Sequence, residues 1–378
     1  MTDTVSTPKQ HSKKFPYVIK IEPRIKDVPR WLSPVISLGA VVVALLISAV
    51  ILKIGGSDPW ATYAHIGKAS FGSLGVFSDT LVKATPLILV GLACSVAFRM
   101  KMWNIGAEGQ FFMGAFGASA VVLIPILPAD APRWLFIGMM IIAGIGFGAM
   151  YGFIPGFLKA RFNVNEIISS LMLNYIAVAW NNYFIFAIWT DGGFQMSKMF
   201  PKNAWLPRLA DYAKEFPALR GLTTHFGLIL ALIAAVIVYL IIYRSKWGYE
   251  IRLIGDNPKA ARYAGIPIKR HMVLVMMLSG ALAGLAGMSE ISGVVHRLQG
   301  AISPGYGFTG IIVAWLAKLN PFVIVIVAIL FGALILAGRE IQPSGVPKMI
   351  QGIILVCLIA SDFLLQNRIR ITRRVEEN

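Results

Sequence analysis

Residues 226–243 read Phe-Gly-Leu-Ile-Leu-Ala-Leu-Ile-Ala-Ala-Val-Ile-Val-Tyr-Leu-Ile-Ile-Tyr and hold no charged side chain. A helix of about 20 such residues crosses the hydrocarbon core of a bilayer, because it rises about 1.5 Å per residue and pairs its own backbone polar groups. Apolar runs of this kind recur from Pro34 to Gln366. The sequence therefore predicts an all-α, polytopic membrane protein.

The apolar runs predict about ten transmembrane helices. They are expected at 34–54, 81–98, 106–128, 134–158, 166–189, 225–243, 272–295, 302–317, 321–338 and 346–366. The stretch 303–307, Ser-Pro-Gly-Tyr-Gly, interrupts the apolar pattern between the seventh and eighth, and the run after it is too short for an upright crossing. We expect a broken or half-inserted helix there, of the kind that lines a transport path.

The composition supports one membrane domain. Of 378 residues, 57% are hydrophobic and only 14% are charged, which is too apolar for a soluble chain. We assign residues 34–366 to the membrane domain, 1–33 to a basic N-terminal segment and 367–378 to a C-terminal tail. The 35 basic residues against 18 acidic ones lie in short blocks beside apolar runs, which indicates membrane topology and no nucleic-acid partner.

The distribution of basic residues predicts the orientation. With the N-terminus inside, 23 of the 35 Lys and Arg residues fall in cytoplasmic segments, as the positive-inside rule expects. Both termini and the loop 244–271 are then cytoplasmic. The larger outside segments, 55–80 and 190–224, either meet an extracytoplasmic binding protein or anchor the ends of helices.

The loop 244–271 predicts a short helix of its own. Pro258 suits a first-turn position, Asp256 or Asn257 can cap the helix, and Gly265 can end it near Ala264. Such a helix could be a docking site for a cytoplasmic partner. An ordinary solvated connector, whose charges hold the topology, is the alternative.

Three segments resemble one permease family. Lys259-Ala-Ala-Arg-Tyr-Ala-Gly265 is similar to the EAA-x-x-x-G loop of permease subunits of bacterial ABC importers, with Lys259 where that pattern has Glu. Residues 102–110, Met-Trp-Asn-Ile-Gly-Ala-Glu-Gly-Gln, resemble the N-I-G-x-E-G-Q segment of the family that includes branched-chain amino acid, ribose and nucleoside importers. Residues 164–175, Val-Asn-Glu-Ile-Ile-Ser-Ser-Leu-Met-Leu-Asn-Tyr, are most similar to its nucleoside, or guanosine-type, branch.

The resemblance implies a permease of the bacterial cytoplasmic membrane that imports nucleosides or a similar small polar solute. Its implied partners are a cytoplasmic ABC ATPase that uses ATP and Mg, a second related permease, an extracytoplasmic binding protein and membrane lipid. The motif residues it identifies are Asn104, Gly106, Glu108, Gln110, Asn165 and Glu166. The residues it implies for ATPase coupling are Gly255, Asp256, Asn257, Pro258, Ala260, Ala261, Tyr263 and Gly265.

Polar residues inside apolar runs are candidates for the substrate path. Asn174, Tyr175, Asn181 and Asn182 interrupt one predicted helix, and amides and aromatic rings suit a neutral polar, aromatic cargo. Interhelical hydrogen bonding is the alternative for the amides. Phe308 and Thr309, after the break at 303–307, are further candidates.

Three glutamates lie at or near membrane depth, where an ionised group is costly. Glu108 and Glu166 are expected at cytoplasmic helix starts, where the helix dipole favours a carboxylate and a structural role is the simpler interpretation. Glu290 lies deeper, with path-lining and helix-pairing roles both open. His296 and Arg297 are expected at the outer interface, without a role in proton relay.

The sequence predicts a transport subunit and no enzyme. It contains no G-x-x-x-x-G-K-[ST] motif, no nucleophile with its base and no metal-ligand set, so no catalytic, cofactor or metal site is expected in this chain. Cys94 and Cys357 both lie in apolar runs and are expected to be inert. The functional alternatives are a sugar permease, an ion-gradient-driven transporter with Glu290 or Glu166 as coupling group, and a membrane-embedded enzyme.

Overall fold

The computed structural model describes residues 17–23, 32–124, 126–128, 131–338 and 345–373. Most of the predicted N-terminal segment 1–33, namely residues 1–16 and 24–31, lies outside the described residues, as do residues 374–378 of the predicted tail. All predicted site residues are described.

The described part of the chain contains thirteen α-helices. They are α1 (Leu32–Ile54), α2 (Pro59–Phe71), α3 (Leu74–Arg99), α4 (Ala107–Leu123), α5 (Arg133–Phe162), α6 (Glu166–Ala187), α7 (Gly227–Arg244), α8 (Lys246–Asp256), α9 (Pro258–Tyr263), α10 (Ile268–Glu290), α11 (Tyr306–Leu316), α12 (Pro321–Ala337) and α13 (Val346–Gln366). One π-helical turn, Ile291–Val295, continues α10.

The all-α membrane architecture is confirmed. Each of the ten predicted spans coincides with a helix, and six helices in the described residues are long and apolar enough to cross a membrane by themselves. Three more, α4, α11 and α12, are apolar but shorter. α6 has 22 residues, but its three asparagines lower its hydropathy.

One predicted boundary is corrected. The helix expected from residue 81 begins at Leu74, and residues 59–71 of the expected outside segment 55–80 form α2. Ser78, Thr80 and Lys83 are buried in that early part of α3. Ser78 and Thr80 interrupt the apolar run before residue 81, and in the fold they are paired with Thr224 and with the Ser70 carbonyl.

Two pairs of short strands were not predicted. β1 (Tyr17–Pro23) and β4 (Asn367–Arg373) form an antiparallel ladder, so the chain before α1 pairs with the chain after α13. β2 (Thr190–Asp191) and β3 (Phe194–Ser197) form a hairpin after α6. The ladder of β1 and β4 holds the start of α1 and the end of α13 at the same end of the bundle.

The directions of the helices define two ends of the bundle. α3 ends at Arg99 against Gly255 of α8, and we name this the coupling end; the far end is where α3 begins. α10 runs back along α3, because Ser279 bonds the Ala93 carbonyl and Glu290 meets Lys83. The α8–α9 loop and the segment 190–224 therefore lie at opposite ends.

α4 and α11 are half-helices that begin inside the bundle. After Arg99 the chain turns back, so that Asn104 already lies against Ser279, in the middle of α10. α11 has 11 residues and spans about 16 Å, roughly half of the hydrocarbon core. The broken helix expected after residue 302 is thus present, and α4 is a second one, 17 residues long.

Glycines allow α4, α5 and α10 to pack with their backbones in contact. A Cβ atom at Gly284 would collide with the Gly144 carbonyl, and one at Gly148 would collide with the Gly280 carbonyl. A Cβ atom at Gly114 would meet the backbone of Gly284. The glycine clusters are therefore helix-packing surfaces, as small residues are in membrane bundles generally.

Candidate functional site

The first turns of α4 and α11 meet inside the bundle. The Glu108 carboxylate, in the first turn of α4, accepts a hydrogen bond of 2.5 Å from the backbone N–H of Gly307 in α11. A helix N-terminus carries partial positive charge and unpaired N–H groups. One carboxylate thus stabilises two helix starts at once, and these starts lie inside the bundle instead of at the cytoplasmic surface where Glu108 was expected.

The motif residues around Glu108 hold the start of α4. Asn104 donates to the Gln110 carboxamide at 2.7 Å and to Ser279 of α10 at 2.8 Å, while its oxygen accepts from Gly106 N at 3.0 Å. A Cβ atom at Gly106 would lie 2.9 Å from the Ser170 Cβ of α6. Through these contacts the motif residues fix the start of α4 inside the bundle.

Asn174 also fixes the start of α4. Its oxygen accepts from Gly109 N at 2.8 Å, and its amide donates to the Ile105 carbonyl at 2.9 Å. Asn165 caps α6 by accepting from Ile167 N at 2.9 Å, and Glu166 pairs with Lys159 at 2.9 Å. α6 is therefore fixed to both α4 and α5.

A cavity of about 430 Å³ lies beside the start of α11. Its polar lining residues come from five parts of the chain and are Lys83, Glu290, Gln299, Ser303, Thr309, Lys348 and Gln351. Thr309 donates to the Gln351 carboxamide at 3.2 Å. Pockets of this volume are typical of small-molecule sites.

Lys83 and Glu290 form a buried ion pair in the wall of this cavity. Their Nζ and Oε1 atoms are 3.2 Å apart, and the two side chains are 7% and 3% exposed. Lys83 and Val294 also line a second cavity of about 230 Å³, whose other polar walls are Asp79, Arg208 and Thr223 at the far end. Lys83 and Val294 thus lie where the two cavities adjoin; we name the smaller cavity, at the far end, the outer cavity and the larger one, which extends to Thr309 of α11, the deeper cavity.

The predicted path residues do not share one location. Glu290 and Thr309 line the deeper cavity. Tyr175 is 68% exposed on the outer surface of α6, Phe308 is 46% exposed, and Asn174 is bound to backbone. The structure does not gather the whole predicted set at one surface.

Asn181 and Asn182 lie near the chain that follows the π turn. Asn181 donates to the Gln299 carbonyl at 3.3 Å, and a Cβ atom at Gly300 would lie 3.1 Å from the Asn182 carboxamide oxygen. Gln299 itself lines the deeper cavity. The two amides therefore adjoin its wall from the outside.

The far-end segment 190–224 covers the end of α10. Its Arg208 donates to the Gly293 carbonyl at 2.8 Å and to His296 Nε2 at 2.6 Å, and Trp205 stacks on the His296 ring with centroids 3.8 Å apart. His296 is buried beneath this segment at the far end. Burial, followed by the charge of Arg208, lowers its pKa to about 4.

The predicted helix of the 244–271 loop is present as α9. Asn257 caps it by accepting from Ala260 N at 3.1 Å, Pro258 is its first residue, and Gly265 follows with a φ of +73°. α8 is a second, longer helix in the loop, which the sequence did not predict. It was missed because its basic and polar residues were attributed to the loop.

The coupling residues implied by the resemblance face in different directions. Tyr263 is 94% exposed at the end of α9, and Asp256 and Lys259 are also exposed. Ala261 is buried and Ala260 is half-buried. α9 thus has an inner face on the bundle and an open, largely basic outer face.

α8 touches the end of α3 directly. A Cβ atom at Gly255 would collide with the carbonyl oxygen of Arg99. The Arg99 guanidinium donates to the Tyr243 hydroxyl of α7 and, at 3.0 Å, to the Leu319 carbonyl after α11. Arg99 therefore joins four elements of the coupling end, α3, α7, α8 and α11.

A family model described as "Branched-chain amino acid transport system / permease component" matches residues 76–359. The chain belongs to this family. The match spans α3 to α13, and so covers the half-helices, both cavities and the α8–α9 loop. The permease is accordingly a multi-pass membrane component of an ABC transporter, and the ion-gradient-driven transporter and the membrane enzyme do not fit its family.

Three relatives match nearly the full permease. The guanosine ABC transporter permease protein NupP of Bacillus subtilis is 34% identical, covering 89% of this chain and 93% of NupP. The nucleoside ABC transporter permease protein NupB of Lactococcus lactis is 33% identical, covering 86% and 90%. The glucose ABC transporter permease protein TsgB13 of Haloferax volcanii is 32% identical, covering 93% and 94%.

Sequence reasoning missed two central residues of the permease. Lys83 is an ionisable residue inside a predicted span, the same signal that identified Glu290, and it could have been found by that rule. Arg99 was counted only as a topology charge. Arg99 contacts Tyr243 and Leu319, which lie 144 and 220 positions later in the chain. No local sequence pattern reveals such contacts.

Proposed function

We propose that this chain is one permease subunit of an importer that carries nucleosides into the cell, driven by a separate ATPase that docks on α9. The protein lies in the bacterial cytoplasmic membrane with both termini and the coupling end inside. The ATPase uses ATP and Mg, and this chain contributes the passage for the solute.

The observation that carries the proposal is the geometry of α9. It is a capped helix held out at one end of a membrane bundle, with Tyr263 almost fully exposed and Lys259 and Arg262 beside it. A bare aromatic ring with basic neighbours suits a protein groove with an apolar floor and acidic rim. Such a groove on the ATPase would receive α9.

Arg99 supplies a route from α9 into the membrane. α9 follows α8 after a single residue, and α8 presses on the Arg99 carbonyl through Gly255. A displacement of α8 therefore reaches α3 and, through the Arg99 guanidinium, the ends of α7 and α11. α11 begins beside the deeper cavity, so movement at the coupling end changes the access to that cavity.

Nucleosides are the cargo that the relatives support best. NupP and NupB, named for guanosine and nucleoside transport, are 34% and 33% identical to this chain. The segment 164–175, with its resemblance to the nucleoside branch, agrees with them. TsgB13, at 32%, favours glucose as the second candidate cargo.

Two further partners complete the proposed importer. A different but related permease packs beside this chain, so that each supplies one wall of the passage. An extracytoplasmic binding protein delivers the solute to the far end, where the segment 190–224 and the outer cavity lie. Copurification of the tagged chain with an unlike permease tests the pairing, and recovery of identical copies alone would contradict it.

The test is the uptake of labelled guanosine, adenosine, uridine and glucose by cells with and without this chain. Each uptake is repeated after ATP depletion and after collapse of the proton gradient. We expect chain-dependent nucleoside uptake that follows ATP and survives collapse of the gradient. Uptake that follows the gradient would overturn the mechanism, and chain-dependent uptake of glucose alone would replace the cargo.

A further inference from the structure

We propose that Lys83 and Glu290 form a subsite for two neighbouring hydroxyl groups on the sugar ring of the solute. The inference rests on the proposed function and assigns its cargo-recognising chemistry to two residues. It concerns the deeper cavity and the ion pair in its wall.

The position of the pair suits a subsite on a path. Lys83 lines both the outer cavity of about 230 Å³ and the deeper cavity of about 430 Å³. A solute that passes from the outer cavity into the deeper one moves past Lys83 and then reaches Glu290 in the wall of the deeper cavity. Val294, of the π turn, lines both as well, so the passage between them is bounded by α3 and the end of α10.

The chemistry of the pair complements hydroxyl groups. An ammonium group only donates hydrogen bonds, and a carboxylate only accepts them. Two neighbouring hydroxyls do both, so one can donate to the Oε1 atom of Glu290 while the oxygen of the other accepts from Lys83. Hydrogen bonds of this kind to an ionised group are shorter and stronger than those between neutral groups.

The burial of the pair argues for a use beyond packing. Both side chains are nearly inaccessible in a bundle built of apolar helices, where an ionised group is costly. An apolar pair of similar volume would join α3 and α10 at least as well. A buried charge pair that lines a cavity can instead serve to bind a polar ligand.

Apart from the exposed Lys348, the rest of the polar lining is neutral. Thr309 and Gln351 are already bonded to each other, and Ser303 also lines the wall. Side-chain amides and hydroxyls can both donate and accept, and so can pair with the remainder of a polar solute. The charged pair is therefore the part of the cavity that distinguishes a hydroxyl pair from other polar groups.

The same chemistry fits the solutes for which two relatives are named. NupP is named for guanosine and TsgB13 for glucose, and both compounds carry neighbouring hydroxyls on a sugar ring. The subsite recognises this shared feature, whichever of the two cargoes this chain carries. It predicts no affinity for a free base, which has no sugar hydroxyls.

The experiment compares matched solutes in cells that express the full transporter. Uptake of labelled guanosine, 2′,3′-dideoxyguanosine, guanine and glucose is measured for the wild type, Glu290→Gln, and the double variant Lys83→Met with Glu290→Leu. We expect the wild type to prefer guanosine over the dideoxy compound by about tenfold, and both variants to lose that preference. The double variant replaces the pair with apolar side chains, so helix packing is retained.

Glu166→Gln is the control, because it removes another, partly buried ion pair, with Lys159 at the coupling end. It should change the uptake of guanosine and its dideoxy analogue by the same factor. An unchanged ratio in the inserted Glu290 variants, or a parallel loss of both compounds, would overturn the subsite. A wild type that carries guanosine and its dideoxy analogue equally refutes the subsite alone, whereas one that carries neither guanosine nor glucose refutes the proposed cargo.

Discussion

The carboxylate of Glu108 and the backbone N–H of Gly307 are 2.5 Å apart, although 199 residues separate them in the chain. Through this contact, two half-helices that run in opposite directions begin at the same place inside the bundle. A Cβ atom at Gly307 would collide with the backbone of Glu108, so the two first turns are in direct contact. Several functional expectations depend on this junction, because the deeper cavity lies beside it.

Glu108→Gln should destabilise the junction. The change keeps the shape of the side chain but removes the charge that accepts from Gly307, with an expected loss of about 1.5–3 kcal/mol. Thermal unfolding of the purified protein should shift to lower temperature, and Glu108→Ala should shift it further because the Gly307 N–H is then unpaired. Equal stability of all three proteins would contradict the role of Glu108.

Arg99→Met should separate ATP hydrolysis from transport. The variant keeps most of the side-chain volume but loses the bonds to Tyr243 and the Leu319 carbonyl. We expect the assembled transporter to hydrolyse ATP while uptake falls about tenfold or more. Lys101→Met, at an exposed position two residues later, is the matched control and should leave both rates unchanged. A parallel fall in both rates would indicate a failure of assembly instead.

Gly148→Ala should disturb the packing of α5 against α10, whereas Gly146→Ala should not. A Cβ atom at Gly148 collides with the Gly280 carbonyl, but none of the surrounding atoms lies within 4 Å of one at Gly146. Overpacking costs about 1–3 kcal/mol. The melting temperatures of the two variants test this. An equal fall in both would contradict the prediction, because it would show that any Gly→Ala change in α5 lowers the stability.

Acid should loosen the far end of the protein. His296 accepts from Arg208 only when its Nε2 is unprotonated, and its pKa is lowered to about 4 from an ordinary value of 6.5. A lowered histidine pKa stabilises the fold fully above pH 6.5, and this contribution is lost as the pH falls towards 4. At pH 5 the loss is about 2 kcal/mol.

The measurement is the melting temperature between pH 7.5 and pH 5. It should fall on acidification, and His296→Phe, which keeps a ring against Trp205, should flatten the response. Some response will remain, because burial also lowers the pKa of His225, to about 3. A wild-type melting temperature that does not change over this range would contradict the assignment.

Local patterns were enough to predict most of the fold. Apolar runs located ten helices, and cap chemistry located α9, because Asn257, Pro258 and Gly265 act within a few residues of each other. The half-helix after residue 302 followed from the Pro304-Gly305 break. These features depend on neighbours in sequence, which is why the sequence alone predicts them.

The candidate site was harder to predict, because its contacts are long-range. Glu290 was a candidate, but its partner Lys83 lies 207 residues away. The sequence left open whether Asn174 contacts cargo or pairs helices, and its bonds to Gly109 and Ile105 support helix pairing. A polar residue in an apolar run shows that a partner exists, and only the fold shows which one.

The most direct test of the central claim is ATP-driven uptake of labelled guanosine by vesicles that contain the whole transporter, comparing wild type with the variant Arg262→Glu, Tyr263→Ala. Both residues are exposed on α9, so the bundle should fold normally. Arg161→Glu, which reverses another exposed arginine at the coupling end, is the control. We predict that the α9 variant loses ATPase binding and uptake while the control retains both. Uptake at the wild-type rate by the α9 variant would contradict the claim that this helix couples ATP hydrolysis to transport.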